Sequence, residues 1–264
     1  MSFITRKAEK LEYSMAEGLD VPHCFTTRFG GVSTGYLDSL NLGTRRGDDP
    51  QNVLENYRIL GRELGFAPEN LVLTRQTHTD IVFAVDESHK GTGLFSEDLP
   101  ECDGLITNSP GVGLVVFTAD CTPILLWDQV IGAVGAVHAG WRGTASQIAA
   151  KAVKAMAEHY GSSPENIYAA IGPNIGQCCF ETDADVPVAM LSVFGEEVNA
   201  YIRQQKDKYY VNLKEINALS LRRAGVKNID ISCECIACRP DKFWSHRRVG
   251  NNRGSQGAII VCKG

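Results

Sequence analysis

Three apolar, branched runs at residues 113–118, 124–127 and 133–137 follow one another with links too short to hold a crossover helix. A parallel strand pair needs a connection of about a dozen residues or more, so links this short do not join parallel neighbours. Trp127-Asp128-Gln129-Val130-Ile131 reads as the turn of a hairpin between Ile124 and Val137. The pattern is not the regular strand–helix alternation of a doubly wound fold. Further strand-like runs lie at 71–74, 81–85, 167–171, 229–233 and 258–261, so strands outnumber helices. The expectation is one α+β domain over residues 1–264, with layered mixed β-sheets and helices packed outside them.

The helices are read from caps and periodicity. Thr144 followed by Gln147 has the form of a capping box, with Ile148, Ala152 and Met156 on one face up to about Tyr160. Asn212 followed by Glu215 starts another, with Ile216 and Leu219 in phase and Gly225 as its stop. Pro50–Leu64 carries Val53, Tyr57, Leu60 and Leu64 at helical spacing, and a weaker helix spans 185–193, where Pro187 restricts the start. Residues 86–103 hold Gly91, Gly93, Pro100 and several acids, and read as an exposed loop.

Composition narrows the function classes. Of the 264 residues, 44% are hydrophobic and 22% charged, an ordinary globular balance. Thirty-one acidic against 26 basic residues give a net charge of −5, which exerts no pull on polyanions and argues against nucleic acid as the main partner. No apolar run approaches the roughly 20 residues of a membrane span, and the N-terminal residues lack the apolar stretch of a signal peptide. A cytoplasmic protein with no membrane partner is expected. Nine cysteines, an odd number without an export signal, argue against a disulfide framework.

Three segments set a metal-capable side chain at the end of an apolar run: Arg75-Gln76-Thr77-His78, Thr118-Ala119-Asp120-Cys121-Thr122-Pro123 and Val137-His138-Ala139-Gly140-Trp141-Arg142-Gly143. Strand ends and the turns behind them are where a rigid sheet presents functional groups. Taken together, His78, Cys121 and His138 make an N2S set suited to zinc, whose catalytic sites keep three protein ligands and one open position. Spacing alone does not bring them together, since no pair has finger-type spacing. A lone histidine at a strand end is more often a hydrogen-bonded structural residue, and a lone cysteine is usually core. Cys233-Glu234-Cys235-Ile236-Ala237-Cys238 is a dense thiol run without a matching partner pair. Cys178-Cys179 is a vicinal pair poorly suited to one zinc, and both groups read as ordinary thiols. His23, His89 and His159 read as surface or turn residues, and Trp141 and Trp244 as core.

Several motifs occur in a telling order. They are Thr27-Arg28-Phe29-Gly30-Gly31-Val32-Ser33, Leu40-Asn41-Leu42-Gly43, Gln76-Thr77-His78, and Cys102-Asp103-Gly104-Leu105-Ile106-Thr107. The Ala119-Asp120-Cys121 and His138-Ala139-Gly140-Trp141-Arg142-Gly143 segments follow, then Ile171-Gly172-Pro173-Asn174-Ile175-Gly176 and Phe243-Trp244-Ser245-His246-Arg247-Arg248. Together they closely resemble the YfiH/YlmD family, long labelled laccase domain or polyphenol oxidase. The resemblance runs from about Phe25 to the C-terminus. It implies a zinc-dependent purine nucleoside phosphorylase acting on adenosine, inosine, guanosine and methylthioadenosine, with adenosine deaminase activity. It also implies zinc on His78, Cys121 and His138, and a layered fold likened to that of a deamidating toxin with a Cys-His site. Two departures touch the edge of the pocket: Thr79 stands where glycine is common, and Asn252-Arg253-Gly254-Ser255 replaces the usual Thr-Gly-Arg ending.

On that reading Cys121 and His138 are catalytic as well as ligands. Asp120 is the nearest candidate in sequence for the general acid and base, although adjacent side chains on an extended chain point opposite ways. Phosphorolysis needs a phosphate held by arginine forks or helix-start amides, and Arg142, just before the helix that Thr144 would cap, offers both. Arg247, Arg248 and Arg28 are further candidates. The implied partners are small-molecule nucleosides and phosphate, with a homodimer left open. A copper-dependent polyphenol oxidoreductase is the main alternative. Six histidines leave too few for a multicopper cluster beside a His2Cys centre, although copper suits the single site. A Cys121–His138 amide hydrolase would require an unligated thiolate. A non-catalytic binding module would use an exposed Trp141 or Trp244.

Overall fold

The computed structural model describes residues 3–263. It opens with strands that the sequence reading did not contain: β1 (Phe3–Ala8), β2 (Leu11–Ala16) and β3 (His23–Thr26). Helix α1 (Pro50–Leu64) starts at Asp49, whose carboxylate accepts from the Gln51 amide, and stops at Gly65 in the left-handed region at φ 77°. Strands β4 (Leu71–Leu73), β5 (Val82–Ala84) and β6 (Gly104–Thr107) follow. Next come β7 (Gly113–Thr118), β8 (Thr122–Asp128) and β9 (Val134–Ala139), the three runs of the opening argument. The second half holds α2 (Trp141–Ala145), α3 (Ile148–Tyr160), β10 (Ile167–Ile171), β11 (Glu181–Thr182) and α4 (Asp185–Phe194). It closes with β12 (Ile202–Gln205), β13 (Lys208–Val211), α5 (Leu213–Arg223), β14 (Asn228–Ile231), α6 (His246–Val249) and β15 (Gln256–Val261).

Two six-stranded mixed sheets form the body, in the orders β1-β2-β3-β15-β7-β4 and β14-β10-β8-β9-β6-β5. A small third sheet has the order β11-β13-β12. Strands β8 and β9 pair antiparallel with Ile124 opposite Val137 and Trp127 opposite Val134, as the short link requires. The period of two along the central strands explains the layering. In β7, Leu114 and Val116 face the space between the large sheets, while Val115 and Phe117 pack towards α1 with Val53, Tyr57 and Leu60. In β8, Leu125 joins the inter-sheet core, while Ile124 and Leu126 meet Ile148, Ala152 and Met156 of α3. Strands covered on both faces read as unbroken apolar runs, which is why these were visible in the sequence. A further cluster, with Met190, Phe194, Val211 and Ile216, joins α4 and α5 to the small sheet. The α+β class with layered mixed sheets flanked by helices is what the structure shows. No helix among the described residues is long and apolar enough to cross a membrane.

Several local expectations need correction. Thr144 does not cap α3: it lies inside α2, and its buried hydroxyl accepts from Asn217 Nδ2 of α5 at 2.9 Å. A tertiary partner has taken the group that the local pattern assigned to a capping box, and α3 starts after Gln147 with no side-chain cap. Residues 86–103 are more than a loop. Gly91 N donates to Leu71 O and Leu73 N to Thr92 O, laying the segment along β4. His23 is buried rather than superficial, with Nδ1 2.8 Å from Val21 O and Nε2 accepting from Ala16 N. Asn212 does cap α5, accepting from the Glu215 amide.

Candidate active site

The three metal-capable side chains come from different strand ends that the two large sheets bring together. Cys121 sits in the turn between β7 and β8, and the pairing of Pro123 with His138 places it beside the end of β9. His78 arrives on the segment after β4. Its neighbour Gln76 behaves as a short piece of strand: Nε2 donates to Phe117 O at 2.8 Å, and Oε1 accepts from Phe117 N at 2.6 Å. The ligand atoms of His78, Cys121 and His138 all lie within 4.8 Å of one another. His78 Nε2 is 3.8 Å from Cys121 Sγ, and the two imidazoles stand edge to face at 5.1 Å between centroids. Gly140 makes room for this arrangement, since a Cβ there would lie 2.8 Å from the His78 ring and 3.2 Å from Cys121 Sγ.

Asp103, immediately before β6, organises the set and was not assigned a role from the sequence. It is fully buried. One carboxylate oxygen lies 2.6 Å from His138 Nδ1; a carboxylate accepts only, so Nδ1 carries the proton and Nε2 is turned towards Cys121. The same carboxylate accepts from the amides of Thr77, His78 and Thr79 and from the Thr79 hydroxyl, which fixes the loop that carries His78. Burial alone would raise the Asp103 carboxyl, but His138 and Thr79 outweigh it and hold it below its ordinary value. Burial would likewise raise the Cys121 thiol, yet His138 and His78 bring it down to about 6. His138 moves the other way: burial opposes its charge, and Cys121 and Asp103 together raise it. Each shift thus favours the charged form of its group, the thiolate of Cys121 and the protonated imidazole of His138. The donor set fits a tetrahedral N2S zinc site, with neutral or anionic donors converging from three sides and an oriented histidine behind them.

The set opens into a cavity of about 470 Å³, of a size suited to a small organic ligand. Phe117, Ile175 and Phe180 give it apolar surface; Arg45, Arg46, Arg75, Arg247 and Arg253 give it positive charge. Arg45 is paired with Asp98 and Arg75 with Glu101. Arg46 and Arg253 form no ion pair among the described residues, and Arg253 Nε is buried without a partner. Burial and the neighbouring charge of Arg46 push Arg253 down to about 10, still a cation at neutral pH. The backbone that carries these residues hangs on Asn41, which is fully buried. Its Oδ1 accepts from the amides of both Gly43 and Ser255 at 3.0 Å, and its Nδ2 donates to Asp48 Oδ2 at 2.8 Å.

The other sequence candidates are scattered. Asp120 lines the cavity, but its carboxylate accepts from Ser245 Oγ and from Arg247 N, both at 2.6 Å. Its backbone is held at φ 102°, and His78 is at φ 66°, so two non-glycine residues of the site occupy the left-handed side. Arg247 reaches the cavity while its guanidinium donates to Cys179 O and Glu181 O. Arg142 lies apart from the cavity, stacked 4.3 Å over Trp141. Arg248 donates to Ala237 O, and Arg28 is spent on Asp38 O and Pro240 O and stacks on the buried Trp244. Sequence reasoning missed Asp103, Asn41, Arg46 and Arg253; the only signal was that the first two sit inside quoted motifs and that Arg253 marks a departure from one.

The family described as multi-copper polyphenol oxidoreductase laccase matches residues 22–263. The chain belongs to this family, the YfiH/YlmD family. It is 38% identical over 244 residues to a Geobacillus stearothermophilus protein named purine nucleoside phosphorylase YlmD, covering 90% of this chain and 88% of that one. It is 34% identical over 252 residues to an unknown prokaryotic organism's protein named adenosine deaminase RL5, covering 93% and 95%. The crystal structure of YlmD from Geobacillus stearothermophilus superposes with a TM-score of 0.92 at 36% identity, covering 98% of each chain. The YfiH/YlmD relatives carry names of enzymes that act on purine nucleosides, which supports an enzyme of that general kind here.

Proposed function

We propose that this protein is a purine nucleoside phosphorylase that also deaminates adenosine, with His78, Cys121 and His138 holding zinc at the head of the cavity. The observation that carries the reading is the pairing, in one cavity, of an open-faced N2S donor set with two arginines that have no carboxylate partner. A zinc ion held there supplies Lewis acidity and lowers the pKa of water to near 7. Copper suits the same donors, and metal analysis distinguishes the two. Arg253 and Arg46 hold phosphate, the dianion that their charge and the partnerless Nε call for. Phe180, Phe117 and Ile175 offer apolar surface to a purine. A phosphate oxygen then bonds to the sugar carbon as the carbon–nitrogen bond to the base breaks; the bonding pair leaves with the purine, which takes up a proton. In deamination, water adds at the purine carbon bearing the amino group, and ammonia departs. Asp103 keeps His138 in one tautomer throughout, and Asp120 acts by positioning Arg247 and Ser245. Arg247 is a cavity contact; Arg142, Arg248 and Arg28 are structural on this reading.

The test joins elemental analysis to product analysis with adenosine and phosphate. About one zinc at this site, with adenine and ribose phosphate formed, is expected. Loss of metal-dependent stabilisation worth about 4 kcal/mol corresponds to a roughly 1,000-fold fall in turnover for Cys121→Ser or His78→Ala. Undiminished turnover in both variants would refute the proposal. Metal-free protein, inert to nucleosides after zinc addition and alkylated at Cys121, would instead favour the Cys121–His138 hydrolase.

A further inference from the structure

A second group of donors lies outside the cavity. Strands β10 and β14 are parallel neighbours, so the segments that leave them emerge at the same end of the sheet. There the backbones of Asn174 and Cys235 bridge, and Ile236 N donates to Asn174 O at 3.0 Å. This brings the vicinal pair Cys178-Cys179 against Cys235 and Cys238, the partner pair that the sequence reading did not find. Both halves are turned for convergence. Cys179 N donates to Gly176 O at 3.0 Å, so the vicinal cysteines sit in a turn rather than in the extended geometry that would splay them. Cys238 N donates to Cys235 O at 3.1 Å across Ile236–Cys238, which returns both thiols of this C-x-x-C unit to one side.

We infer that Cys178, Cys179, Cys235 and Cys238 form a second, structural metal site that takes one zinc ion. The four sulfurs lie within 4.8 Å of one another, with Cys178 to Cys238 at 3.6 Å and Cys179 to Cys238 at 3.4 Å. Zinc–sulfur bonds of about 2.3 Å in a tetrahedron place sulfurs about 3.8 Å apart, so small side-chain adjustments accommodate the ion. A cluster with its own irons and sulfides at the centre would need the thiolates farther apart. The surroundings are those of a ligated thiolate rather than of packed thiols. Gly176 N donates to Cys235 Sγ at 3.1 Å, and a Cβ on Gly176 would lie 3.3 Å from both the Cys178 and Cys235 sulfurs. Four thiolates and one divalent ion leave a charge of about −2. Arg248 Nη2 lies 3.9 Å from Cys179 Sγ, and the buried Lys214 ammonium is held by Ser232 O and Glu234 O in the same segment. The ion would clamp the wall of the cavity, because Phe180 follows Cys179 directly and Arg247 donates to Cys179 O.

This inference does not rest on the nucleoside reading, and its test keeps the two apart. The triple variant His78→Ala/Cys121→Ser/His138→Ala empties the first donor set. Dialysed and natively folded by circular dichroism, it is expected to retain about one zinc per chain. Adding Cys235→Ser and Cys238→Ser should remove that zinc. Cobalt loading of the wild-type protein supplies a second measurement: thiolate-to-cobalt charge-transfer absorption should approach the sum of a four-thiolate and a one-thiolate centre. A folded triple variant that holds no zinc, or a wild-type cobalt spectrum of one-thiolate intensity only, overturns the inference. Loss of zinc from the first set alone would leave this site standing.

Discussion

The wall of the cavity that carries His78 and His138 and the wall that carries Arg46 and Arg253 are each hung on one fully buried polar residue, Asp103 and Asn41. The two do different work. Asp103 is charged and touches the His138 imidazole directly, so it fixes a tautomer and an orientation as well as the loop behind them. Asn41 is neutral and its side chain holds only backbone and a neighbouring carboxylate, so it sets the course of the chain without touching a guanidinium. On the proposed reading, the metal set needs each donor oriented singly, whereas the anion site needs its cations brought to one wall.

The sharpest way to break the contrast is Asp103→Asn. An amide retains the volume but loses the charge facing His138, and metal affinity should fall by roughly 10- to 100-fold in a chelator competition. An unchanged affinity would mean that Asp103 only shapes the loop. On the other wall, Arg253→Met should raise the KM for phosphate by about tenfold, the loss of one charge-assisted contact, while metal content stays constant. Arg142→Gln is the matched control, and a comparable rise there would move the phosphate site away from Arg253. The pH behaviour of Cys121 gives the next effect. With its thiol near 6, below the ordinary value, the thiolate predominates above that pH and is lost below it. Alkylation of chelator-stripped protein should therefore be nearly flat from pH 7 to 9 and about tenfold slower at pH 5. A rate still climbing towards pH 9 would show that the histidines do not hold the thiolate. The smallest effect belongs to Asn41→Ala. It leaves the Gly43 and Ser255 amides without their buried acceptor, so a stability loss of about 1–3 kcal/mol and a few-fold rise in phosphate KM are expected. Urea unfolding and phosphate kinetics measure these, and a loss of metal instead would mean that the two walls are not independent.

What was legible in the sequence follows from the same physics. Residues 113–118, 124–127 and 133–137 were plain because burial on both faces demands apolar side chains at every position. Phe3–Ala8 was invisible because it is a partly exposed edge strand, rich in charge. The hairpin, α1 and the Asn212 cap depend on near neighbours and were read correctly. Thr144 shows the limit, because its hydroxyl answers to Asn217, far along the chain. The site was legible by type, through His78, Cys121 and His138 at strand ends, but not by arrangement. Asp103 gains its meaning only when β6 lies beside β9, and Arg46 and Arg253 share no local spacing.

The segment carrying His78 is stitched to β7 by Gln76 and to the start of β6 by Asp103, strands that belong to different large sheets. The three donors therefore converge only when both sheets have formed and docked. If these donors hold an ion as proposed, a chain with one sheet complete has no place to hold it by all three, so during synthesis or refolding metal capture would come last and mark the finished molecule. On heating, the ion should be released together with the collapse of the whole body rather than ahead of it.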